Sequence, residues 1–65
     1  MYQLIHQCFG HTTVLTTFDK HPTPKQIKDS LPVYIQLDDI RLDTLIISQY
    51  LTLAVGEWLE IIEAS

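Results

Sequence analysis

The N-terminal quarter of the chain is rich in β-branched and aromatic residues, in the stretches YQLIHQCF and TTVLTTF. Their partial period-two alternation of polar and apolar positions is typical of β-strands. Gly10 and His11 separate the two stretches, and glycine suits the first central position of a type II′ turn. The pattern therefore predicts a β-hairpin in which Phe9 pairs with Thr12.

The segment HPTPKQIKDSLP carries the clearest local signal in the sequence. Thr23 is a good N-cap, Pro24 suits the first helical position, and Gln26 stands where its side chain can complete a capping box. Pro32 disfavours helical geometry in the residue before it. We therefore expect a helix of about two turns, with Ile27 on its inward side.

The stretch VYIQL alternates Val33, Ile35 and Leu37 with polar or amphipathic residues, which predicts a half-buried strand over residues 33–37. The following stretch DDIRLD begins with two adjacent carboxylates and has poor strand propensity. We interpret it as a turn or loop that leads into the last element.

The C-terminal segment is compatible with two structures. As a helix with Asp43 as N-cap, it segregates its apolar residues well from its polar residues. Its β-branched residues, Gly56 in mid-helix and the glutamates near its C-terminus count against the helix. As a β-hairpin that turns at Gly56 and Glu57, it would place Tyr50 opposite Glu63, and both of its faces would be mixed. The clean separation of apolar from polar residues favours the helix over the hairpin.

Together these elements predict a single α+β domain over residues 1–65, in the order ββαβα. A small antiparallel sheet, made of the N-terminal hairpin and one further strand, is packed by a short helix and a longer C-terminal amphipathic helix. The alternative is that the C-terminal segment forms a β-hairpin.

The composition of this 65-residue chain is apolar for its length, with 46% hydrophobic residues and a mean hydropathy of +0.11. Some of that apolar surface is expected to meet another chain, such as a second copy in a homodimer. Cys8 is the only cysteine, which fits a reducing compartment. With neither a signal-peptide pattern nor an apolar run long enough to span a bilayer, we expect a cytoplasmic protein without membrane contact.

The net charge of −4 is distributed unevenly along the chain. Residues 1–37 carry three lysines and two aspartates, a balance of +1, whereas residues 38–65 carry six carboxylates and one arginine, a balance of −5. Direct binding of nucleic acid is not expected, because phosphate contacts need clustered Lys and Arg. The acidic charge of the C-terminal part instead predicts a protein partner with a basic surface.

We therefore interpret the chain as a small acidic, non-enzymatic protein-interaction domain that docks its C-terminal half on a target, as inhibitor or adaptor. Small acidic phage and plasmid proteins that block host surfaces have similar size and charge. The candidate partner-binding residues are the six carboxylates of that half and its tryptophan, namely Asp38, Asp39, Asp43, Glu57, Glu60, Glu63 and Trp58.

A homo-oligomeric assembly module is the alternative function. In such an oligomer the two leucines that fit the helical pattern poorly, Leu45 and Leu53, are buried between subunits. The basic cluster Lys20, Lys25 and Lys28 of one copy then faces the acidic end of the next.

Enzymatic chemistry is the third and least favoured reading. His6 and Cys8 share a strand face, but their spacing to His11 and His21 does not match a zinc signature. A thiol nucleophile would also need an orienting residue and oxyanion donors, for which the sequence has no motif. Hence we predict no catalytic residue, metal site or cofactor.

Overall fold

The computed structural model describes residues 1–64, whose four strands form one antiparallel sheet with two helices packed on one of its faces. The elements are β1 (Tyr2–Cys8), β2 (His11–Phe18), α1 (Pro24–Ser30), α2 (Asp39–Ser48), β3 (Tyr50–Ala54) and β4 (Glu57–Glu63). The strand order is β2-β1-β4-β3, so the N-terminal and C-terminal hairpins join along the central strands β1 and β4. The α+β class is confirmed, but the element order is ββααββ and not ββαβα.

The N-terminal hairpin is confirmed, with a different register from the predicted one. Its turn lies at Phe9 and Gly10, whose φ angles are 49° and 86°. Two positive φ angles in a two-residue loop match the right-handed twist of the flanking strands, as in a type I′ turn. Cys8 therefore pairs with His11, and Phe9 does not pair with Thr12.

Helix α1 forms as its capping sequence predicts. The Gln26 amide donates to Thr23 Oγ1 at 3.3 Å, and the Thr23 amide donates to Gln26 Oε1 at 2.9 Å. This reciprocal pair satisfies two of the amides that a helix start leaves without partners. Ile27 is fully buried on the inward side.

The predicted strand over residues 33–37 is wrong. These residues lie in an irregular connection between α1 and α2, where the Ile35 amide donates to the Pro32 carbonyl at 2.9 Å and closes a turn. Ile35 and Leu37 are nevertheless buried in the core. The alternation of polar and apolar residues thus reflects alternate burial of an irregular segment, without a partner strand.

The predicted loop DDIRLD is also wrong, because it starts α2. Asp38 is the N-cap and accepts a hydrogen bond from the Arg41 amide at 2.8 Å. Asp43, the predicted N-cap, lies within the helix. A carboxylate at a helix start satisfies a free amide and interacts favourably with the helix dipole, so two adjacent aspartates suit this position better than they suit a strand end.

The predicted C-terminal helix is wrong, and the alternative hairpin describes the segment from Tyr50 onward. Helix α2 ends at Ser48, and Gln49 adopts a left-handed conformation with φ 61° that directs the chain into β3. In the hairpin Tyr50 pairs with Glu60, three residues from the predicted partner Glu63. Antiparallel pairing of β4 with β1 along its whole length outweighs the local helical pattern, since it buries apolar residues that a separate helix would not place there.

The core lies between the sheet and the helices. It consists of eight buried residues, two of them from the irregular connection: Leu4, Ile27, Ile35, Leu37, Leu42, Leu45, Leu59 and Ile61. Leu45 is fully buried, and Leu53 is half-buried against this core. The expectation that both are surface residues available to a second subunit is therefore wrong for Leu45.

Within residues 1–64, neither helix reaches the length and hydrophobicity that crossing a membrane would require.

Candidate functional site

The sheet has one face under the helices and one face without helical cover, which we call the open face. Strand alternation and the ladder pairings assign the side chains, because neighbours directly across a ladder point the same way. One row across all four strands of the open face consists of Val14, Ile5, Glu60 and Tyr50. A second row consists of Thr12, Gln7, Trp58 and Thr52.

Trp58 is held in place on the open face by two neighbours. Its indole Nε1 donates to Glu60 Oε1 at 3.2 Å, and its ring lies 5.9 Å from the Tyr50 ring at an interplanar angle of 32°. The hydrogen bond keeps a carboxylate beside an aromatic surface. An arginine side chain could contact both groups at once, because it pairs with carboxylates and stacks on aromatic rings.

Much of the apolar surface on the open face is accessible. Val14 is 48% exposed and Tyr50 is 45% exposed, while Trp58 and Ile62 are half-buried. Ile5 is buried between its ladder neighbours. A sheet face with a fixed tryptophan beside accessible apolar side chains and a carboxylate has the composition of protein-binding hot spots.

The open face is acidic, with Glu60 as its only Asp, Glu, Lys or Arg among the described residues. The four strands of the described chain contain three glutamates and no lysine or arginine, a balance of −3. Residues 19–49 contain four cations and five aspartates, a charge balance of −1. Together with the −3 of the strands, this gives the net charge of −4. The basic residues therefore lie on the two helices and the connection before α1, and none lies on a strand of the described sheet.

The predicted partner-binding residues fall in several separate places, with Glu57 and Glu63 at opposite ends of β4. Asp38, Asp39 and Asp43 are exposed on α2 and its cap, in the helical layer. Glu57 and Glu63 lie on β4 with their side chains on the helix-covered side, whereas Glu60 and Trp58 lie on the open face. Of the seven candidates, the structure brings together Glu60 and Trp58 through their hydrogen bond.

Glu57 takes part in a compact polar cluster at the end of the sheet where both hairpins turn. Its Oε2 lies 2.7 Å from His6 Nε2, and the His6 and Glu57 side chains are only 7% and 24% exposed. Cys8 stands two residues from His6 on the same strand face and is the ladder partner of Glu57. One nitrogen, one sulfur and one oxygen of these residues lie within 4.8 Å of one another.

The remaining histidines lie apart from this cluster. His11 is the ladder partner of Cys8 on β2 and is exposed. The ring of His21 packs edge-on against Tyr2, near the opposite end of β1, with ring centroids 5.1 Å apart. The four-residue combination weighed from the sequence is therefore not assembled.

Comparisons of the chain with family models, curated proteins and solved structures found no significant match.

Sequence reasoning missed the apolar part of the open face and the partner of His6. The predicted pairing of Phe9 with Thr12 implies that Ile5, Gln7 and Val14 share one face, so strand alternation carried part of the signal. Tyr50 joins the open face through the β3–β4 hairpin, whereas Glu57 reaches His6, 51 positions away in the sequence, through the pairing of β4 with β1.

Proposed function

We propose that this chain is a small acidic, non-enzymatic protein-interaction domain that docks the open face of its sheet on a basic, partly apolar surface of a target protein. The observation that carries the proposal is the row of Val14, Ile5, Glu60 and Tyr50 beside Trp58, which joins accessible apolar surface to one fixed carboxylate. Occupying the target's surface would make the domain an inhibitor or an adaptor of that protein.

Charge complementarity supports a basic partner. Glu60 has no lysine or arginine on its own face, so an incoming cation meets no competing positive charge among the described strands. The half-buried position of Glu60 and its apolar neighbours lower the local dielectric, which strengthens a charge-assisted hydrogen bond. An arginine between apolar residues is therefore the favoured contact on the target.

The proposal is tested by capture of the partner from an extract of the native host with the tagged protein and matched variants. Glu60→Lys should abolish capture of a specific basic protein, since it places a cation opposite the target's cation. Glu63→Lys makes the same charge change three residues away on the same strand, on the other face, and should retain the partner. Loss of capture only in the Glu63→Lys variant would refute the open-face proposal.

The predicted acidic residues of α2 form a second surface, and its role in binding the partner is tested separately. Asp39 and Asp43 flank Ile40, which is 77% exposed. The double variant Asp39→Lys and Asp43→Lys should leave partner capture intact if docking uses the open face. Loss of capture in this variant, together with retention in Glu60→Lys, would move the binding surface to α2.

A homodimer is the second candidate function, and it is favoured by the composition of the edge strand β2. This eight-residue strand carries no Asp, Glu, Lys, Arg or Pro, and most of its side chains are exposed. Such an edge presents free backbone groups and lacks the charges and proline that discourage pairing, and a bulge opposite Leu4 and Ile5 is the one irregularity along the described strand. Two copies could extend their sheets through β2, without the buried leucine contacts that the sequence suggested.

A further inference from the structure

We propose that His6, Cys8 and Glu57 form a binding site for a divalent transition metal of the zinc class, with one coordination position open. The site lies on the helix-covered side of the sheet, at the hairpin turns, and is separate from the open face. It therefore does not depend on the proposed partner binding.

The geometry fits a metal centre with little rearrangement. The three ligand atoms lie within 4.8 Å of one another, and tetrahedral zinc with bonds of about 2.0–2.3 Å holds its ligand atoms about 3.3–3.8 Å apart. The His6–Glu57 contact of 2.7 Å has to widen as the metal replaces the hydrogen bond. Small rotations of the Cys8 and Glu57 side chains suffice, because both residues are only half-buried.

The backbone fixes the relative positions of the ligands before any metal arrives. His6 and Cys8 are two apart on one strand, and Glu57 is directly opposite Cys8 in the β1–β4 ladder. These are the two central strands of the sheet, so the ligands have a rigid support. Little conformational entropy is then lost when the ion binds.

The donor set selects the class of ion. A thiolate and an imidazole favour zinc or cobalt over magnesium and calcium, which prefer sites made of oxygen ligands alone. Three protein ligands leave the fourth tetrahedral position for water, as in catalytic zinc sites. Glu57 also lines a cleft of about 210 Å³ with Tyr34, Ile35, Gln36 and Leu53, so solvent reaches the site at this ligand.

The test is titration of the reduced full-length protein with Zn²⁺ and with Co²⁺ in a buffer free of chelators. We expect binding of one ion per chain, and a thiolate-to-cobalt charge-transfer absorption that reports a bond to the Cys8 sulfur. Cys8→Ser and Glu57→Gln preserve side-chain size and should each lower the affinity at least about 100-fold, more than the loss of an outer-shell partner usually does.

Two histidine variants act as controls. His21→Ala removes an exposed imidazole near the other end of β1, and His11→Ala removes the neighbour of Cys8 that lies outside the ligand group. Both should keep the affinity within roughly three-fold, less than the ten-fold lower limit for outer-shell partners. Equal losses in these variants and in Cys8→Ser would overturn the three-residue site.

Wild-type protein provides a test that does not depend on how the variants fold. Saturating Zn²⁺ should slow the alkylation of Cys8, the only thiol in the chain, because a metal-bound sulfur is a poor nucleophile. Unchanged alkylation in the presence of Zn²⁺, or the absence of the cobalt charge-transfer absorption, would refute the proposal.

Discussion

At the scale of single residues, the environment of a side chain depends on its direction more than on its type. Leu45 and Ile47 lie two positions apart on α2, yet Leu45 is fully buried and Ile47 is 81% exposed. On a helix a step of two residues turns the side chain by about 200°, so one aliphatic residue enters the core and the other faces solvent. A single helical period over residues 44–63 places Leu45 off the apolar face, and the structure corrects that prediction because α2 ends at Ser48.

Truncation of these two residues should have very different effects. We expect Leu45→Ala to lower the free energy of unfolding by about 2–5 kcal/mol, since it leaves a cavity in the core. Ile47→Ala should change it by less than about 0.5 kcal/mol, as is usual at exposed sites. Urea denaturation followed by circular dichroism measures both, and equal effects would contradict the position assigned to α2.

At the scale of elements, the segments with strong local chemistry were the predictable ones. The capping residues Thr23, Pro24 and Gln26 determine where α1 begins, and Pro32 limits its extent. The N-terminal hairpin was predictable in kind, but its turn type was not, because Phe9 is an unusual residue at positive φ.

The C-terminal half was not predictable from local pattern. Its apolar residues satisfy a helical period over residues 44–63, while the structure changes from helix to strand at Gln49. The choice depends on β1, which offers β4 a partner over seven residue pairs. Interactions between residues so distant in sequence override local propensity. The separation of Glu57, Glu60 and Glu63 between two faces follows from the same pairing.

The left-handed conformation of Gln49 gives a direct test of where α2 ends. Glycine adopts positive φ without the cost of about 1–2 kcal/mol that other residues incur. Gln49→Gly should therefore raise the free energy of unfolding by roughly 0.5–1 kcal/mol, after allowance for the greater freedom of glycine in the unfolded chain.

A continuous C-terminal helix predicts the opposite result. Glycine within a helix would destabilise the protein by about 1 kcal/mol relative to alanine. Gln49→Ala is the matched control, because alanine gains nothing at a left-handed position and should leave the stability nearly unchanged. Chemical denaturation of the two variants and the wild type distinguishes the two structures.

At the scale of the whole molecule, the two layers differ in charge and in composition. The two helices carry Lys25, Lys28 and Arg41, and the open face combines apolar side chains with Glu60. Two modes of association follow: docking of a basic partner on the open face, and pairing of edge strands between two copies. The first depends on charge, whereas the second depends on backbone hydrogen bonds.

Light scattering at low and high salt tests the homodimer. Pairing through β2 predicts a dimer mass that salt does not change, because the contact contains no ion pair. Thr13→Lys should convert such a dimer to a monomer, since an edge lysine disfavours further strand pairing. The exposed helical substitution Thr44→Lys is the control with the same charge change. A wild-type protein that is monomeric under both conditions would exclude this mode.

The central claim is that the partner docks on the open face. Trp58 gives the most direct test of it, because it is the only tryptophan in the chain. Fluorine NMR of the protein labelled with fluorotryptophan reports the surroundings of this side chain alone, even when the unlabelled partner contains tryptophans. We predict that saturation with the captured partner shifts the Trp58 resonance and removes its sensitivity to solvent isotope. An unchanged resonance in the saturated complex would show that the partner binds elsewhere and would contradict the account.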